Sequence, residues 1–316
     1  MNILKNAFSV LVFPGLIFAS IVGLLLAGID RKILARMQKR KGPPVIQPFY
    51  DFFKLMGKET IIPEAAHRKA FLAAPVIGFV SLVVLMLFIP IFGYSPFKTN
   101  ADLIIILYLL TIPAVALIIG GSSSGSPYAG IGISREMVTM MAYELPLVIV
   151  FLAVARKVGG GPLCFSLSEI TAWQVSSGSL ITHWALIPAA IAMLLVIPAE
   201  VGTQPFDVAE AETEICEGPL VEYSGAPLAV FKLNTAVKMF AMTALFTVLF
   251  FGGINTGYIA LNVLVLVAIC IGLTVLCMTL IHAITARLKI EHLFKFYWTV
   301  VTALSAISLI LVWCNL

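Results

Sequence analysis

The chain has 316 residues, of which 60% are hydrophobic and only 11% are charged, and its mean hydropathy is +1.05. This composition excludes an ordinary soluble enzyme, and long uncharged apolar runs without strand alternation predict an all-α integral membrane protein. The net charge of +4 is explained by the positive residues that flank membrane spans, so it predicts no nucleic acid partner.

Eight apolar runs are long enough to cross a membrane as helices. They lie at roughly 7–29, 70–92, 103–119, 137–155, 184–200, 226–251, 258–284 and 296–314. The inner loops are predicted at 30–69, 120–136, 201–225 and 285–295. None of these loops is long enough for a separate soluble domain, so residues 1–316 are expected to form one polytopic membrane domain.

The distribution of lysine and arginine predicts the orientation of the chain in the cell membrane. The 30–69 loop alone carries ten of the twenty basic residues. Because positive loops stay on the cytoplasmic side, the long charged loops are expected to be cytoplasmic and both termini outside. The first run follows a single lysine and continues past any cleavage site, so it is expected to be retained as a helix.

The basic segment after the first run includes Arg36 and Arg40, and an amphipathic helix is predicted between residues 45 and 58. Its apolar face contains Ile46, Phe49, Phe53 and Met56, and its charged residues lie opposite. Such a segment is too short and too charged to span, so it should lie in the interface on the inner side. The basic residues alone are typical of a topological anchor. Together with this helix they indicate a platform for a soluble partner, or a lateral entrance from the lipid.

The motifs of common cofactor sites are absent from the sequence. The Gly/Ser-rich segment 120–135 lacks the GxxxxGK[ST] spacing of a phosphate-binding loop. The five cysteines form no CxxC pair and no Cys/His cluster with ligand spacing, and Cys270 and Cys277 are interpreted as buried structural thiols. We therefore expect no metal centre and no cofactor in this chain.

Glu144 lies within the fourth apolar run, beside Pro146. An ionisable residue at membrane depth is costly and usually functional, although a neighbouring helix could also satisfy it. Arg135 and Glu136, at the start of that run, are interpreted as interface markers.

The stretch from Glu200 to Gly225 holds seven of the sixteen acidic residues, interleaved with apolar Phe206, Ile215 and Leu220. If it is helical, one face carries Asp207, Glu210, Glu214 and Glu217. Crowded, desolvated carboxylates have raised pKa values, which favour proton exchange near neutral pH. A solvated acidic loop explains this mixture of acids, glycines and apolar residues poorly.

The stretch also resembles a known family. The segments Pro205-Phe206-Asp207 and Glu222-Tyr223-Ser224-Gly225 are similar to the signature of the H (or first) membrane subunit of respiratory complex I. Relatives of that protein occur in energy-converting [NiFe] hydrogenases, formate hydrogenlyase and the related sulfane sulfur reductase. Further matches are Asp30-Arg31-Lys32, Tyr143-Glu144 and Phe251-Gly252-Gly253, so the resemblance covers essentially the whole chain.

Two departures favour the hydrogenase-type branch of that family. Quinone-reducing members resemble GPNRVGPFGLLQP and ETNRxPFD, whereas this chain has a shorter segment from Gly42 to Pro48 and has Thr203 in place of the second arginine. The loss of two cations near a quinone chamber weakens the case for quinone. In contrast, Ser134-Arg135-Glu136 and Glu217-Gly218-Pro219-Leu220 are similar to the hydrogenase-type branch.

The resemblance implies a membrane component that has no redox centre of its own. Hydrogenase-like large and small peripheral subunits, with iron–sulfur clusters and a [NiFe] centre, would dock on the inner loops. Small membrane subunits and antiporter-like subunits would be the partners in the lipid membrane. A proton relay is predicted from Glu144, Glu200, Asp207, Glu210, Glu214 and Glu217. Docking of the peripheral arm is predicted for Arg36, Arg40, Glu212, Glu222 and Tyr223, with pairing of Glu212 to Arg36 or Arg40 as an alternative.

Three functions stay open at this point. The favoured one couples a redox reaction to proton or ion translocation through a carboxylate chain. The second is the quinone-binding H subunit of NADH:quinone oxidoreductase, and the third is a passive membrane anchor. An independent transporter is disfavoured because neither an inverted repeat nor a pair of broken helices is evident.

Overall fold

The computed structural model describes residues 8–91, 96–97, 99, 101–253 and 258–314. In these ranges the chain forms helices joined by short segments. The longer helices are α1 Leu16–Met37, α3 Arg68–Phe88, α4 Asp102–Ser123, α5 Pro127–Gly159, α7 Ile187–Val201, α9 Gly225–Phe251, α10 Ile259–Thr274 and α13 Thr302–Trp313. The shorter ones are α2 Gln47–Met56, α6 Leu167–Ser177, α8 Glu212–Ile215, α11 Leu280–Ile284 and α12 Ile290–Phe296. Single π-helical turns at Val275–Thr279 and Tyr297–Val301 join α10 to α11 and α12 to α13.

Eight helical segments of the described chain are long and apolar enough to cross a membrane, and the first of them is interrupted at residues 12–15. They are Phe8–Met37, Arg68–Phe88, Asp102–Ser123, Pro127–Gly159, Trp184–Val201, Gly225–Phe251, Ile259–Ile284 and Ile290–Trp313. The predicted fold class is therefore confirmed. Several predicted spans were shorter than the helices, because charged residues such as Arg31 and Glu136 continue the helices beyond the apolar runs.

Helix α9 is the centre of the bundle. Its most apolar window is 94% buried by protein, compared with 28% for Ile290–Trp313 and 39% for Phe8–Met37. It packs against α1, α3, α7 and α10, while α3 and α4 pair closely at one side and α5 packs against α13 at the other. Because α9 is shielded from lipid, polar side chains such as Asn234 and Lys238 can lie on it at membrane depth.

The predicted inner loop 120–136 requires a correction, because most of it is helical. Helix α4 continues to Ser123 and α5 begins at Pro127. Gly120 and Gly132 serve close packing within the helices, whereas Gly125, with a φ of 73°, lies in the turn between them. A Cβ at Gly132 would lie 2.5 Å from Pro219 Cδ, and a Cβ at Gly120 would lie 2.5 Å from the Tyr223 hydroxyl oxygen. The two helices therefore let the stretch 202–224 approach the bundle closely.

The amphipathic helix is present as α2, and it contacts α1 and α9. Ile46, Tyr50, Phe53 and Met56 are exposed on its outer side. The ends of α1, α4, α7 and α11 lie with α2 at one end of the bundle, since the spans alternate in direction along the chain. The same end carries the segment 202–224.

Candidate functional site

The segment 202–224 is mostly irregular and folds back against the bundle. Its regular parts are the four-residue helix α8 and a 3₁₀ turn at Gly218–Leu220. The predicted shared helical face of four carboxylates is therefore wrong. Cys216 and Glu217 adopt left-handed backbone conformations, with φ of 51° and 68°, followed by Gly218 at 50°. This reversal breaks the helix and turns Glu217 inward.

The segment covers a cavity of about 350 Å³ between the ends of α1, α4, α5, α7 and α9. Its charged lining is unusual for a membrane protein. The carboxylates are those of Asp30, Glu136, Glu200, Asp207, Glu210, Glu212 and Glu217, and the cations are Arg31, Lys232 and Lys238. An excess of carboxylates at this depth requires water, protons or counter-charges inside the cavity. We call this space the carboxylate cavity.

Two ion pairs neutralise part of that charge. Lys238 Nζ lies 2.7 Å from Glu200 Oε1, and the two side chains are 8% and 2% exposed. Arg287, from the segment between α11 and α12, binds Asp207 with two nitrogens, at 2.9 Å from Nη2 and 3.0 Å from Nε to Oδ2. Such two-point contacts of arginine with a carboxylate are short and directional. Arg287 also donates a hydrogen bond of 3.0 Å to the Thr213 hydroxyl, so it holds the acidic segment at two places.

The other carboxylates of the cavity join no ion pair within the described residues. Glu136, Glu210, Glu212 and Glu217 are in this group, while Asp30 accepts a hydrogen bond of 2.6 Å from the Thr279 hydroxyl. Burial, followed by the nearby charges of Glu136, Asp207 and Glu217, raises the pKa of Glu210 to about 7, against the opposing effect of Lys232. Glu210 is therefore able to exchange a proton near neutral pH.

Four of the six predicted relay residues line this cavity: Glu200, Asp207, Glu210 and Glu217. Glu214 does not line it. Its side chain is 54% exposed and pairs with Arg135 Nη1 at 2.6 Å, because the short helix α8 directs it to the surface. Glu144 also lies away from the cavity lining, on α5. One of its carboxylate oxygens is buried with no hydrogen-bond partner in the described chain, and the charges that act on it are Glu200 and Lys238.

The docking predictions divide in the same way. Arg36 and Arg40 are exposed near the end of α1, and Glu222 is half-buried. Glu212 forms no ion pair with either arginine and lies at the rim of the cavity instead. Tyr223 is only 5% exposed, so docking is the wrong role for it. Its ring stacks on Phe71 at 4.0 Å, and its hydroxyl donates to the Phe71 carbonyl oxygen at 3.0 Å.

Sequence reasoning missed several residues of the site. Glu136 and Lys238 lie in the cavity lining, whereas the sequence suggested an interface marker and a topological charge. Asp30 and Arg287 were also missed as site residues. One signal was available: Glu136 and Glu144 are eight residues apart, which places them near the same face of one helix.

Comparisons with known proteins identify the family to which the chain belongs. The family model described as "NADH dehydrogenase" matches residues 10–313. The chain belongs to the NADH dehydrogenase family. The eight candidate spans in the described ranges agree with this family, so the chain is a multi-pass membrane protein.

The relatives include both a hydrogenase component and a component of NADH-quinone oxidoreductase. The chain is 37% identical to hydrogenase-4 component C of Escherichia coli (strain K12), over 72% of this chain and 70% of the relative. It is 32% identical to the H component of the NADH-quinone oxidoreductase of Chelativorans sp. (strain BNC1), over 77% and 76% of the two chains. A chain in the structure of the membrane-bound sulfane sulfur reductase, an archaeal respiratory membrane complex, superposes with a TM-score of 0.87, 31% identity and coverage of 98% and 99%. The resemblance inferred from the motifs is confirmed.

In the described residues, no group of three or more His, Cys, Asp and Glu side chains has the arrangement of a metal site. Cys270 and Cys277 are buried, as the sequence predicts.

A first prediction concerns the contacts by which Arg287 holds Asp207 and Thr213. Arg287→Ala leaves Asp207 without its cation and Thr213 without its donor, so residues 202–217 should open more often. We expect a loss of about 1–3 kcal/mol in local stability, since the pair is partly buried and hydrogen-bonded. Hydrogen–deuterium exchange of the segment measures it. Lys289→Ala, two residues away and exposed, should leave the exchange unchanged. Equal protection of the segment in both variants would show that Arg287 does not hold it closed.

Proposed function

We propose that this chain is the energy-coupling membrane subunit of a hydrogenase-type or sulfur-reducing respiratory complex. The observation that carries the proposal is the carboxylate cavity, where seven carboxylates face three cations beneath a segment closed by Arg287. Its similarity to hydrogenase-4 component C and to the sulfane sulfur reductase chain supports the branch. In this proposal the carboxylates change protonation when the redox state of a docked partner changes.

The energetics of such a step are modest. Moving one charge against 100 mV costs about 2.3 kcal/mol. A shift of one pKa unit corresponds to about 1.36 kcal/mol, so a shift of roughly two units in the cluster is sufficient. Removing or adding one counter-charge near desolvated carboxylates gives changes of this size. A docked, charged partner at the cavity mouth therefore has enough leverage to release or capture a proton.

Each residue has a role in this proposal. Glu210, Glu217 and Glu136 exchange the proton, and the Glu200–Lys238 pair passes the change in field to Glu144. Asp207 is held by Arg287 and keeps the segment closed. Arg36, Arg40 and Glu222 belong to the docking surface for hydrogenase-like large and small subunits, which would contain the iron–sulfur and [NiFe] centres. Small membrane subunits and antiporter-like subunits would receive the signal, with the charged loops cytoplasmic and both termini outside.

The experiment uses the purified intact complex in liposomes. It is reduced with ferredoxin without added quinone, while hydrogen or sulfide evolution and the internal pH are followed together. Product formation with a pH gradient is the expected result. Turnover that begins only after quinone is added would contradict the proposal and assign the chain to the quinone-reducing branch. Product formation without a gradient would leave the passive anchor as the better description.

The quinone-binding alternative rests on one specific observation. A second cavity adjoins the carboxylate cavity and shares Arg31 and Lys232 with it. However, Thr203 lines the carboxylate cavity where quinone-reducing relatives resemble ETNRxPFD, so an arginine is missing at the cavity wall itself. Stoichiometric quinone in the purified complex would favour this alternative.

A second prediction follows from the pKa of Glu210. The folded protein keeps the proton of Glu210 up to about pH 7, whereas the unfolded chain loses it near pH 4.5. The free energy of unfolding therefore falls as the pH rises between these two values. Above pH 7 Glu210 adds no further pH dependence. Glu210→Gln should remove this dependence and raise the melting temperature at pH 8. Thermal unfolding between pH 5 and 8 tests it, with Glu64→Gln, an exposed carboxylate, as the control. An unchanged pH profile in Glu210→Gln would contradict the assignment.

A further inference from the structure

The second cavity, of about 340 Å³, lies between the amphipathic helix α2 and the spanning helices α1 and α9. It is separate from the acidic segment 202–224, which contributes no residue to its lining. Apolar side chains form most of its wall, including Leu24 from α1, Leu55 from α2 and Leu233 from α9. We call it the lateral cavity.

The charges of the lateral cavity are mainly positive. It is lined by three cations, Arg31, Lys54 and Lys232, and by one acid, Asp51. Asp51 is already satisfied, since one carboxylate oxygen accepts from Arg31 at 3.2 Å and the other from the Gln47 amide at 3.1 Å. Among the described residues, neither Lys54 nor Lys232 has a carboxylate oxygen within 4 Å of its Nζ. Two cations without a carboxylate partner thus lie beside apolar side chains in this lining.

The position of the lateral cavity in the membrane restricts its occupant. Helix α2 exposes Tyr50, at 62%, and Phe53, at 67%, on its outer side, and it ends beside Lys58. A helix of this kind lies at the depth of the lipid headgroups, with its apolar side toward the acyl chains. A chamber between such a helix and two spanning helices is at the same depth. A molecule that enters it from the bilayer must combine an anionic group with apolar chains.

We propose that the lateral cavity binds an anionic phospholipid, with its phosphate between Lys54 and Lys232 and its glycerol and upper acyl carbons against Leu24, Leu55 and Leu233. Lysine binds phosphate as a point charge, and basic pockets beside spanning helices bind anionic headgroups. The lipid closes the chamber from the side of the membrane. This inference does not depend on which reaction the complex carries out.

Lys232 gives the bound lipid a second consequence. Its side chain lies in the lining of both cavities, and its charge opposes the effect of the acids on Glu210. A phosphate that pairs with Lys232 withdraws part of this positive charge from the carboxylate cavity. Lipid binding and protonation of the carboxylate cavity are therefore coupled, and the coupling is reciprocal.

Native mass spectrometry of the intact, delipidated complex with added phosphatidylglycerol tests the proposal. A surface cation contributes about fivefold to the affinity for an anionic lipid, so Lys54→Gln and Lys232→Gln should each weaken binding by about that factor. The double variant should weaken it by about 25-fold. Lys58→Gln is the matched control, because Lys58 follows the same helix but lies outside the lining. It should bind as the unmodified protein does.

Three further measurements complete the design. Phosphatidylcholine, which has no net charge, should bind weakly and without any difference between the variants. If inorganic phosphate binds to the lipid-free complex with the same lysine dependence and displaces phosphatidylglycerol, the site belongs to free phosphate and the proposal is wrong. Displacement by a short-chain quinone would equally overturn it in favour of a quinone entrance. Equal binding of phosphatidylglycerol to all variants would also overturn the proposal, and it would assign no other ligand to the lateral cavity.

Discussion

Replacing Lys238 with methionine should destabilise the protein by about 3–5 kcal/mol, because Glu200 is then left as a buried carboxylate without its cation. The two groups lie 2.7 Å apart in side chains that are almost fully buried, at the centre of the bundle. Methionine has a similar volume and is apolar, so the loss reports the uncompensated charge more than a cavity. Unfolding of the purified protein in mixed micelles with increasing denaturing detergent measures the difference.

The double variant Glu200→Leu with Lys238→Met separates the pair from its surroundings. Buried ion pairs are often neutral or less stable than apolar residues of similar size, so the double variant should recover most of the loss. Lys289→Met is the control, since Lys289 is exposed, lines neither cavity and should change stability by no more than about 0.5 kcal/mol. Failure of the double variant to recover would show that the two charges do not stabilise each other.

The same double variant distinguishes stability from function. A protein that folds well without the pair but builds no gradient would demonstrate that the pair is retained for coupling. The cost of burying two charges at membrane depth would then be explained by their position between the carboxylate cavity and Glu144. A double variant with full coupling would assign the pair to folding alone.

The architecture was predictable because the membrane imposes it. Uncharged runs of about 20 residues have only one stable arrangement in lipid, so the number and order of spans follow from composition. The amphipathic helix was also predictable, since its apolar and charged residues alternate with helical spacing at positions such as Phe49 and Lys54. Helix ends were less predictable, because Arg31 and Glu136 continue helices that the hydropathy pattern would stop.

The site was predictable in composition but not in geometry. The acidic stretch was recognisable from its density of charge, yet its helical periodicity was accidental, and the left-handed residues Cys216 and Glu217 break it. Glu214, a predicted relay residue, is exposed, and Tyr223, a predicted docking residue, is buried against Phe71. Contacts such as Arg287 with Asp207 join segments 80 residues apart, so no local pattern could reveal them.

Replacing Glu144 with glutamine should abolish formation of the ion gradient while the redox reaction of the complex continues. Glu144 lies about 12 Å along α5 from Glu136, at a rise of 1.5 Å per residue, and so it extends the carboxylate chain away from the cavity. Its buried oxygen has no hydrogen-bond partner in the described chain, and Glu200 and Lys238 are the charges that act on it. Glutamine keeps the size and polarity of the side chain but cannot carry the proton, so the effect should be on coupling.

The assay uses the intact complex in liposomes, reduced with ferredoxin, with product evolution and internal pH recorded in the same sample. Glu169→Gln is the matched control, because Glu169 is an exposed carboxylate at the opposite end of the bundle, on α6. Glu144→Asp, which keeps the carboxylate on a shorter side chain, should retain part of the gradient. Native gel electrophoresis of the variant complex separates a coupling defect from an assembly defect. A full gradient in Glu144→Gln would exclude the relay, and a complex that no longer assembles would support the passive anchor, because that function predicts effects of single carboxylates on assembly alone.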